Sequence, residues 1–223
     1  MTEIFLDTAS IEEIKKFTSW GIGTGVTTNQ SIFLKKAKGK NFKEEALKIL
    51  EFVQPYPVSL EGPNKLEELL DKAECYNMWG LNVVIKVPML GNGDGLKAVK
   101  LLNAMDIKTN VTACMNVNQA FLAANAGATY VSLFFNRIKD IVGEDNAVKV
   151  LKGTMKMLEN YDTKLIVGSI RHPDDIPVIL ESNPHIITIP SNILEKMPWH
   201  DRTESTLKEF DKCWEEFCKA EKC

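Results

Sequence analysis

One lysine interrupts one of the most apolar stretches of the chain. Lys86 lies within residues 82–89, which read N-V-V-I-K-V-P-M. A run of β-branched residues predicts a buried strand, and burial disfavours a charged ammonium group that has no partner. Either the side chain extends from the end of the strand to water, or it is a neutral amine that acts as a nucleophile.

A buried lysine suits Schiff-base chemistry on a carbonyl substrate. A neutral amine attacks the carbonyl carbon, and the resulting iminium ion withdraws electrons from a neighbouring carbon–carbon bond, which breaks to leave an enamine. This cleavage also needs a base that takes the proton of a neighbouring hydroxyl group and returns it in the reverse reaction. Asp7 and Glu61 are the candidates, although the D-T-A-S sequence at 7–10 is equally typical of a helix cap.

Two arginines could bind an anionic end of such a substrate. Arg137 and Arg171 each follow a predicted strand. Guanidinium groups bind phosphate and similar anions through charge-assisted, often bidentate hydrogen bonds. The alternative is that each forms a surface ion pair of small energetic value.

The elements that must position these residues alternate between short apolar runs and longer amphipathic segments. The predicted strands are residues 4–7, 25–28, 57–61, 82–88, 108–113, 129–135, 164–169 and 185–190. The predicted helices are residues 11–17, 42–52, 65–76, 95–105, 118–126, 146–158, 174–182 and 203–219.

Eight strands alternating with helices predict a closed (β/α)₈ TIM barrel, with residues 1–223 as a single domain. An open doubly wound sheet is the alternative, but neither G-x-G-x-x-G nor the phosphate loop G-x-x-x-x-G-K-[ST] occurs. The helix at about 203–219 is left over after the eighth strand. Its apolar stripe packs either on its own barrel or on a neighbouring subunit; the stripe consists of Leu207, Phe210, Trp214, Phe217 and Cys218.

In a barrel of this kind, active sites are built at the carboxyl ends of the strands. The polar side chains at these ends include carboxylates, amides, hydroxyls, one lysine and two arginines. They are Asp7, Thr28, Asn29, Glu61, Lys86, Asn110, Thr112, Ser132, Asn136, Arg137, Ser169 and Arg171.

Length and composition exclude several classes of function. The 223 residues are 44% hydrophobic and carry 27 basic and 30 acidic side chains, a net charge of −3, without a basic block. We therefore expect no nucleic-acid partner. We expect no membrane partner either, since no apolar run approaches the roughly 18 residues of a span. The N-terminus enters a strand pattern at once, which leaves no room for a signal peptide and favours a cytoplasmic protein.

The cysteines and histidines show no metal-binding spacing, so we expect neither a metal nor another cofactor. An odd number of cysteines fits free thiols in a reducing compartment. The residues concerned are Cys75, Cys114, Cys213, Cys218 and Cys223, with His172, His185 and His200.

Five segments at predicted strand ends resemble the signature segments of the small transaldolases and fructose-6-phosphate aldolases, in the same order along about residues 4–215. They are F-L-D-T-A at 5–9, G-V-T-T-N at 25–29, V-I-K-V-P-M at 84–89, T-N-V-T at 109–112 and S-I-R-H-P at 169–173. The resemblance implies a Schiff-base (β/α)₈ barrel without a cofactor that moves a dihydroxyacetone unit between sugar phosphates. It also implies a ring-shaped homo-oligomer, a pentamer or decamer.

The same resemblance implies a role for each matched residue. Lys86 matches the Schiff-base lysine, Asp7 the acid/base at the C4 hydroxyl, and the pair Glu61 and Thr112 the holders of a catalytic water. The matched substrate-hydroxyl ligands are Asn29, Asn110 and Ser132, with Thr28 beside them as a further substrate-binding residue. The matched phosphate clamp consists of Arg137, Ser169 and Arg171.

Phe134 bears on whether the enzyme transfers or releases the three-carbon unit. At this position the transaldolases resemble one another in having phenylalanine, whereas the aldolases have tyrosine. A phenyl ring cannot position water to protonate the enamine, so this resemblance favours transfer.

Several segments depart from the family pattern around the substrate and leave its identity open. They are T-T-N-Q-S at 27–31, L-G-N-G-D-G at 90–95, A-C-M-N at 113–116 and the pair Phe135–Asn136. A sugar with a terminal sulfonate, such as sulfofructose, could take the place of a sugar phosphate. The sequence is also compatible with aldolase-type cleavage of the donor, and with a non-catalytic barrel that binds sugar phosphates.

Overall fold

The apolar runs of the sequence form eight parallel strands that close into a barrel. The structure is a computed structural model that describes residues 1–36, 39 and 41–221, so the prediction for Cys223 lies outside the described residues. Each strand pairs with the next in sequence, and the last pairs with the first. The strands are β1 (Glu3–Asp7), β2 (Val26–Thr27), β3 (Val58–Glu61), β4 (Val83–Pro88), β5 (Thr109–Cys114), β6 (Tyr130–Phe134), β7 (Lys164–Gly168) and β8 (Ile186–Pro190).

The predicted fold class is therefore confirmed, and the open doubly wound sheet is wrong. The described helices are α1 (Ile11–Ser19), α2 (Gln30–Lys36), α3 (Phe42–Val53), α4 (Leu66–Asn77), α5 (Asp94–Ala104), α6 (Val117–Asn125), α7 (Phe135–Val142), α8 (Glu144–Leu158), α9 (Asp175–Leu180), α10 (Ser191–Leu194) and α11 (Asp201–Glu221). Three of them, α2, α7 and α10, do not follow from the sequence pattern. Each begins within three residues of a strand end and lies at the mouth of the barrel.

Helix capping separates the structural polar residues from those left for chemistry. Ser10 caps α1, since its hydroxyl accepts a hydrogen bond from Glu13 N. Asn116 caps α6, since its Oδ1 accepts a hydrogen bond from Gln119 N. Asp7 takes no part in the cap of α1. The D-T-A-S segment at 7–10 therefore does cap α1, through Ser10, while the Asp7 carboxylate is directed to Thr27 instead.

The lysine strand lies at the centre of the packing. All six residues of β4 are buried, and it pairs with β3 on one side and β5 on the other. Apolar side chains from α4 and α5 cover this part of the barrel, among them Leu69, Ala73, Val99 and Leu102. Lys86 therefore lies in a strand that has no free edge.

The C-terminal helix keeps its apolar stripe exposed. Leu207, Phe210, Trp214 and Phe217 on α11 are each at least half exposed, and the rings of Trp214 and Phe217 stack on one another. The stripe is not covered by the barrel of the same chain. Among the described residues, no helix combines the length and apolarity that crossing a membrane requires.

Gly95 permits the close approach of α5 to the end of the lysine strand. A Cβ atom at this position would lie 2.2 Å from the carbonyl oxygen of Pro88. We expect Gly95→Ala to displace the end of β4 and to lower the free energy of unfolding by about 1–3 kcal/mol in urea titrations. Gly153→Ala is the control, because a Cβ there meets only Val117 Cγ2 at 3.4 Å. This control should be stabilised by about 0.5–1 kcal/mol, and equal stabilities of the two variants would contradict the prediction.

Candidate active site

The amine of Lys86 lies inside the barrel. The residue is 5% exposed, its Nζ donates a hydrogen bond of 2.9 Å to the carbonyl oxygen of Thr28, and Glu61 Oε2 is 3.6 Å away. The interpretation in which this side chain extends to water is therefore wrong. The register of the sheet explains the contacts, since Lys86 pairs with Glu61 on β3 and with Asn110 on β5.

Asp7, the last residue of β1, is the second carboxylate of the predicted site. Thr27 Oγ1 donates to Asp7 Oδ1 at 2.8 Å and lies 2.5 Å from Thr188 Oγ1. Because the one hydroxyl proton of Thr27 goes to Asp7, Thr188 is the donor in the second contact. Two hydroxyl groups in series thus fix the orientation of the carboxylate.

The environment of Asp7 raises the pKa of its carboxyl group. Burial raises the pKa of Asp7 above its ordinary value of 3.8, while the positive charge of Lys86 and the hydrogen bond from Thr27 act in the opposite direction. The effect of burial prevails. A carboxylate with a raised pKa is a better proton acceptor, which is the property that a general base requires.

A polar chain crosses the barrel beside the lysine. Ser132 Oγ donates to Asn110 Oδ1 at 2.7 Å, and Asn110 Nδ2 donates to Ser59 Oγ at 3.2 Å. These three side chains are buried. Asn110 is therefore held in one orientation by its neighbours on β6 and β3.

Two cavities of about 330 Å³ and 170 Å³ meet at Lys86. The residues that line both are Asn29, Lys86, Phe134 and Arg137. The larger cavity also contains Glu61 and Thr112, and the smaller contains Asp7, Ser132 and Ser169. The structure thus brings the lysine, both carboxylates, hydroxyls, amides and one arginine to a common space.

Two threonines of the predicted site have different surroundings. The Thr28 hydroxyl donates to Ser59 O at 2.7 Å, so Thr28 meets the lysine through its backbone carbonyl and not through its side chain. The Thr112 hydroxyl is buried and has no hydrogen-bond partner among the described residues. A buried hydroxyl of this kind can bind a substrate oxygen or a water molecule.

The two arginines are placed differently. The guanidinium group of Arg137 lies 4.9 Å from the ring centroid of Phe134 and lines both cavities. Arg171 forms a bidentate ion pair of 2.9 and 2.7 Å with Asp140, and both side chains are about half exposed. The side chain of Arg171 is therefore not brought into the cavities, and its role in anion binding stays a prediction.

The loop between β7 and α9 brings Ser169 to the smaller cavity. Ser169 has a φ of +63°, in the left-handed region that is uncommon for residues other than glycine. Its backbone carbonyl accepts a hydrogen bond of 2.9 Å from Asn136 Nδ2. The loop conformation therefore depends on a side chain of α7, the helix that carries Arg137.

Several polar residues that line or support the site do not follow from sequence reasoning. Thr27 lies in a segment that resembles the family, yet nothing in that segment indicates its support of Asp7. Thr188 is the one polar residue within I-I-T-I on β8, and that contrast is the same signal that singles out Lys86. The others are Ser59, which holds Asn110, and the cavity residue Asn64. Gln30 and Ser31 also line the larger cavity, and they belong to the segment 27–31 that is expected around the substrate.

The charge arrangement suits amine chemistry on a carbonyl compound. Lys86 can attack a carbonyl carbon, and Asp7 and Glu61 lie in the two cavities that meet at its Nζ. Among residues 1–36, 39 and 41–221, no group of three or more His, Cys, Asp or Glu side chains is arranged to hold a metal ion.

Comparisons with known proteins give one consistent result. The family model described as Transaldolase/Fructose-6-phosphate aldolase matches residues 4–222. A probable transaldolase of Aquifex aeolicus is 42% identical over 216 residues, 96% of this chain and 96% of that protein. A probable transaldolase of Caldicellulosiruptor saccharolyticus is 40% identical over 220 residues, 96% of this chain and 97% of that protein. The probable transaldolase 2 of Listeria monocytogenes is 40% identical over 222 residues, 98% of this chain and 99% of that protein.

The raised pKa of Asp7 predicts a pH-dependent cost to stability. The folded protein binds this proton more tightly than the unfolded chain, so stability is lost as the pH rises from the ordinary value of 3.8 through the folded pKa. We therefore expect Asp7→Asn to be more stable than the parent near neutral pH, by about 0.5–2 kcal/mol. The gain should shrink at about pH 3, below the ordinary value of 3.8, where both states bind the proton.

Urea unfolding of the parent and of Asp7→Asn at both pH values measures this difference. Asp162→Asn is the control, because Asp162 is an exposed aspartate outside the cavities and its substitution should change stability little. A destabilised Asp7→Asn variant at neutral pH would contradict the assignment of a burial cost to Asp7.

Proposed function

Because the chain belongs to the transaldolase/fructose-6-phosphate aldolase family, we propose that it is a transaldolase that uses Lys86 to carry a dihydroxyacetone unit from a ketose phosphate to an aldose phosphate. The observation that carries this proposal is the position of the Lys86 amine. It is buried among the strands, 3.6 Å from one carboxylate, and lines both cavities, the smaller of which contains Asp7.

The reaction begins when Lys86 gives a proton to Glu61 and its Nζ then attacks the C2 carbonyl of the donor. Loss of the former carbonyl oxygen as water gives the iminium ion, and Glu61 supplies and removes protons at this stage. The 3.6 Å contact between Glu61 and Lys86 supports that role. Thr112 lies in the same cavity, and its unpartnered hydroxyl can hold the departing water.

Asp7 then acts on the other side of the lysine. It takes the proton of the C4 hydroxyl, the C3–C4 bond breaks, and the aldehyde fragment leaves while the electron pair is delocalised in the enamine. Attack of the enamine on the acceptor aldehyde forms a new bond, and Asp7 returns its proton to the new hydroxyl. The hydroxyls of Thr27 and Thr188 keep the carboxylate in position through both half-reactions.

The remaining cavity residues bind the rest of the sugar. Ser132 lines the smaller cavity and Asn29 lines both. Asn110 lines neither cavity and orients Ser132, whose hydroxyl donates to its Oδ1. Arg137 and Ser169 bind the terminal anion, and Arg171 joins them when its guanidinium group leaves Asp140. That ion pair is about half exposed, so its exchange for a phosphate has a small cost.

Phe134 favours transfer over simple cleavage. Its ring lines both cavities and lies under the guanidinium group of Arg137. An apolar ring cannot hold a water molecule that would protonate the enamine. The three-carbon unit therefore stays on Lys86 until an acceptor aldehyde arrives.

We also infer that the protein is a cytoplasmic homo-oligomer and that residues 1–223 act as one domain. Cys75, Cys114, Cys213 and Cys218 are free, which fits a reducing compartment. The exposed stripe on α11 would be buried if the helix packed on a neighbouring subunit.

Turnover should depend on an acceptor. With fructose 6-phosphate as donor, we expect consumption to be at least about tenfold faster when an aldose phosphate is added, because water cannot release the enamine. Lys86→Met should have no turnover, whereas Lys100→Met, which removes an exposed lysine of α5, should match the parent.

Equal consumption of the donor with and without an acceptor would identify an aldolase. Donor binding that survives in Lys86→Met, with no turnover in the parent, would identify a non-catalytic barrel.

A parallel assay with a sulfonate-bearing ketose distinguishes the terminal anion. If this donor has a higher kcat/KM than fructose 6-phosphate, the physiological donor carries a sulfonate, and the Schiff-base mechanism is unaffected.

The oligomer prediction is tested by light scattering. We expect the parent to have a mass of several 25.0 kDa subunits. The double variant Phe210→Ser/Trp214→Ser should form smaller species, because each substitution removes apolar contact area. Leu81→Ser is the control, since it removes an even more exposed apolar residue far from α11 in the sequence. A monomeric parent would contradict the proposal.

A further inference from the structure

A buried carboxylate lies outside the reacting centre, behind the loop that follows β7. Asp175 is the first residue of α9 and is 5% exposed. Its Oδ2 accepts three hydrogen bonds, from Arg171 N at 2.9 Å, His172 N at 2.9 Å and Asn136 Nδ2 at 2.7 Å. Asp175 does not line either cavity at Lys86.

Asn136 connects this carboxylate to the anion-binding end of the site. Its Nδ2 also donates to the carbonyl oxygen of Ser169, at 2.9 Å. Asn136 precedes Arg137 on α7, and Ser169 and Arg171 belong to the loop of residues 169–174, which we name the β7–α9 loop. The Asn136–Asp175 pair therefore links the two elements that present the proposed anion ligands.

The hydrogen bonds also determine which groups remain for a substrate. Two successive backbone N–H groups that converge on one point form an anion-binding site. Here the N–H groups of Arg171 and His172 are both used by Asp175. Neither of these two N–H groups is therefore free for the terminal anion of a donor, and the side chains of Ser169 and Arg171 depend on a loop held in a left-handed conformation at Ser169.

We propose that Asp175, oriented by Asn136, is a positioning residue that sets the affinity for the terminal anion of the donor by fixing the β7–α9 loop. This inference rests on the proposed function. It assigns no part in bond making or breaking to either residue, so their loss should affect anion binding and leave the chemistry at Lys86 intact.

Kinetics with two donors test the proposal. With glyceraldehyde as acceptor, we expect Asp175→Asn to raise the KM for fructose 6-phosphate about five- to tenfold with kcat changed less than about twofold, since a charged hydrogen-bond acceptor is lost. The kcat/KM for unphosphorylated fructose should stay within about twofold of the parent. The inhibition constant of inorganic phosphate, used as a second probe, should rise in parallel with the KM for fructose 6-phosphate.

Asp174→Asn is the matched control. It makes the same change of charge one residue earlier, but the Asp174 side chain is 91% exposed and makes no contact with the cavities. Its kinetics should equal those of the parent. Asn136→Ala is the second variant if Asp175→Asn does not fold, and we expect it to raise the KM for fructose 6-phosphate selectively as well.

A merely structural role gives a different result. An equal loss of kcat/KM for both donors, or unchanged anion affinity in a folded Asp175→Asn protein, would overturn the proposal. A parent enzyme without acceptor-dependent turnover would instead overturn the proposed function. In that case, the thermal stabilisation of the parent by inorganic phosphate still tests the loop, because it should be reduced in Asp175→Asn.

Discussion

The structure depends on the placement of one amine inside a closed, apolar barrel. Lys86 belongs to a strand whose six residues are all buried, so its Nζ must find polar partners within the lumen. It finds the carbonyl oxygen of Thr28 and the carboxylate of Glu61. These contacts require β2, β3 and β4 to be adjacent and in register, which a closed parallel barrel provides. Burial that would be unfavourable for a lysine in an ordinary core is here the condition for its proposed reactivity.

The same constraint extends to the supporting residues. Asp7 is half-buried with two threonine hydroxyls in series behind it, and Asn110 is held between Ser132 and Ser59. Such chains of hydrogen bonds leave each functional group one orientation. Asn136 and Asp175 make similar hydrogen bonds to the β7–α9 loop. The barrel thus combines a rigid reacting centre with a proposed anion-binding end in which Arg171 exchanges partners.

Much of the fold could be predicted because its signals are local. Strands such as β4, β7 and β8 carry apolar runs, and helices such as α1 and α6 begin with side-chain caps. The helix α7 escapes prediction because it begins directly after β6 at Phe134, without a side-chain cap, and four-residue α10 is too short for a periodic pattern. The positions of most site residues follow from the strand ends. Other contacts join residues that are distant in sequence, and only the packed structure brings them together. They are the ion pair of Arg171 with Asp140, the support of Asp7 by Thr188 through Thr27, and the Asn136–Asp175 pair.

Covalent trapping tests the central claim about Lys86 most directly. Sodium borohydride reduces an iminium ion to a stable secondary amine, so a donor ketose and the reductant together should add the mass of a reduced ketose fragment to the protein. We expect peptide mass spectrometry to locate this mass on Lys86 and Lys86→Met to acquire none. An adduct on another lysine, or turnover by the parent with no adduct under the same conditions, would contradict it.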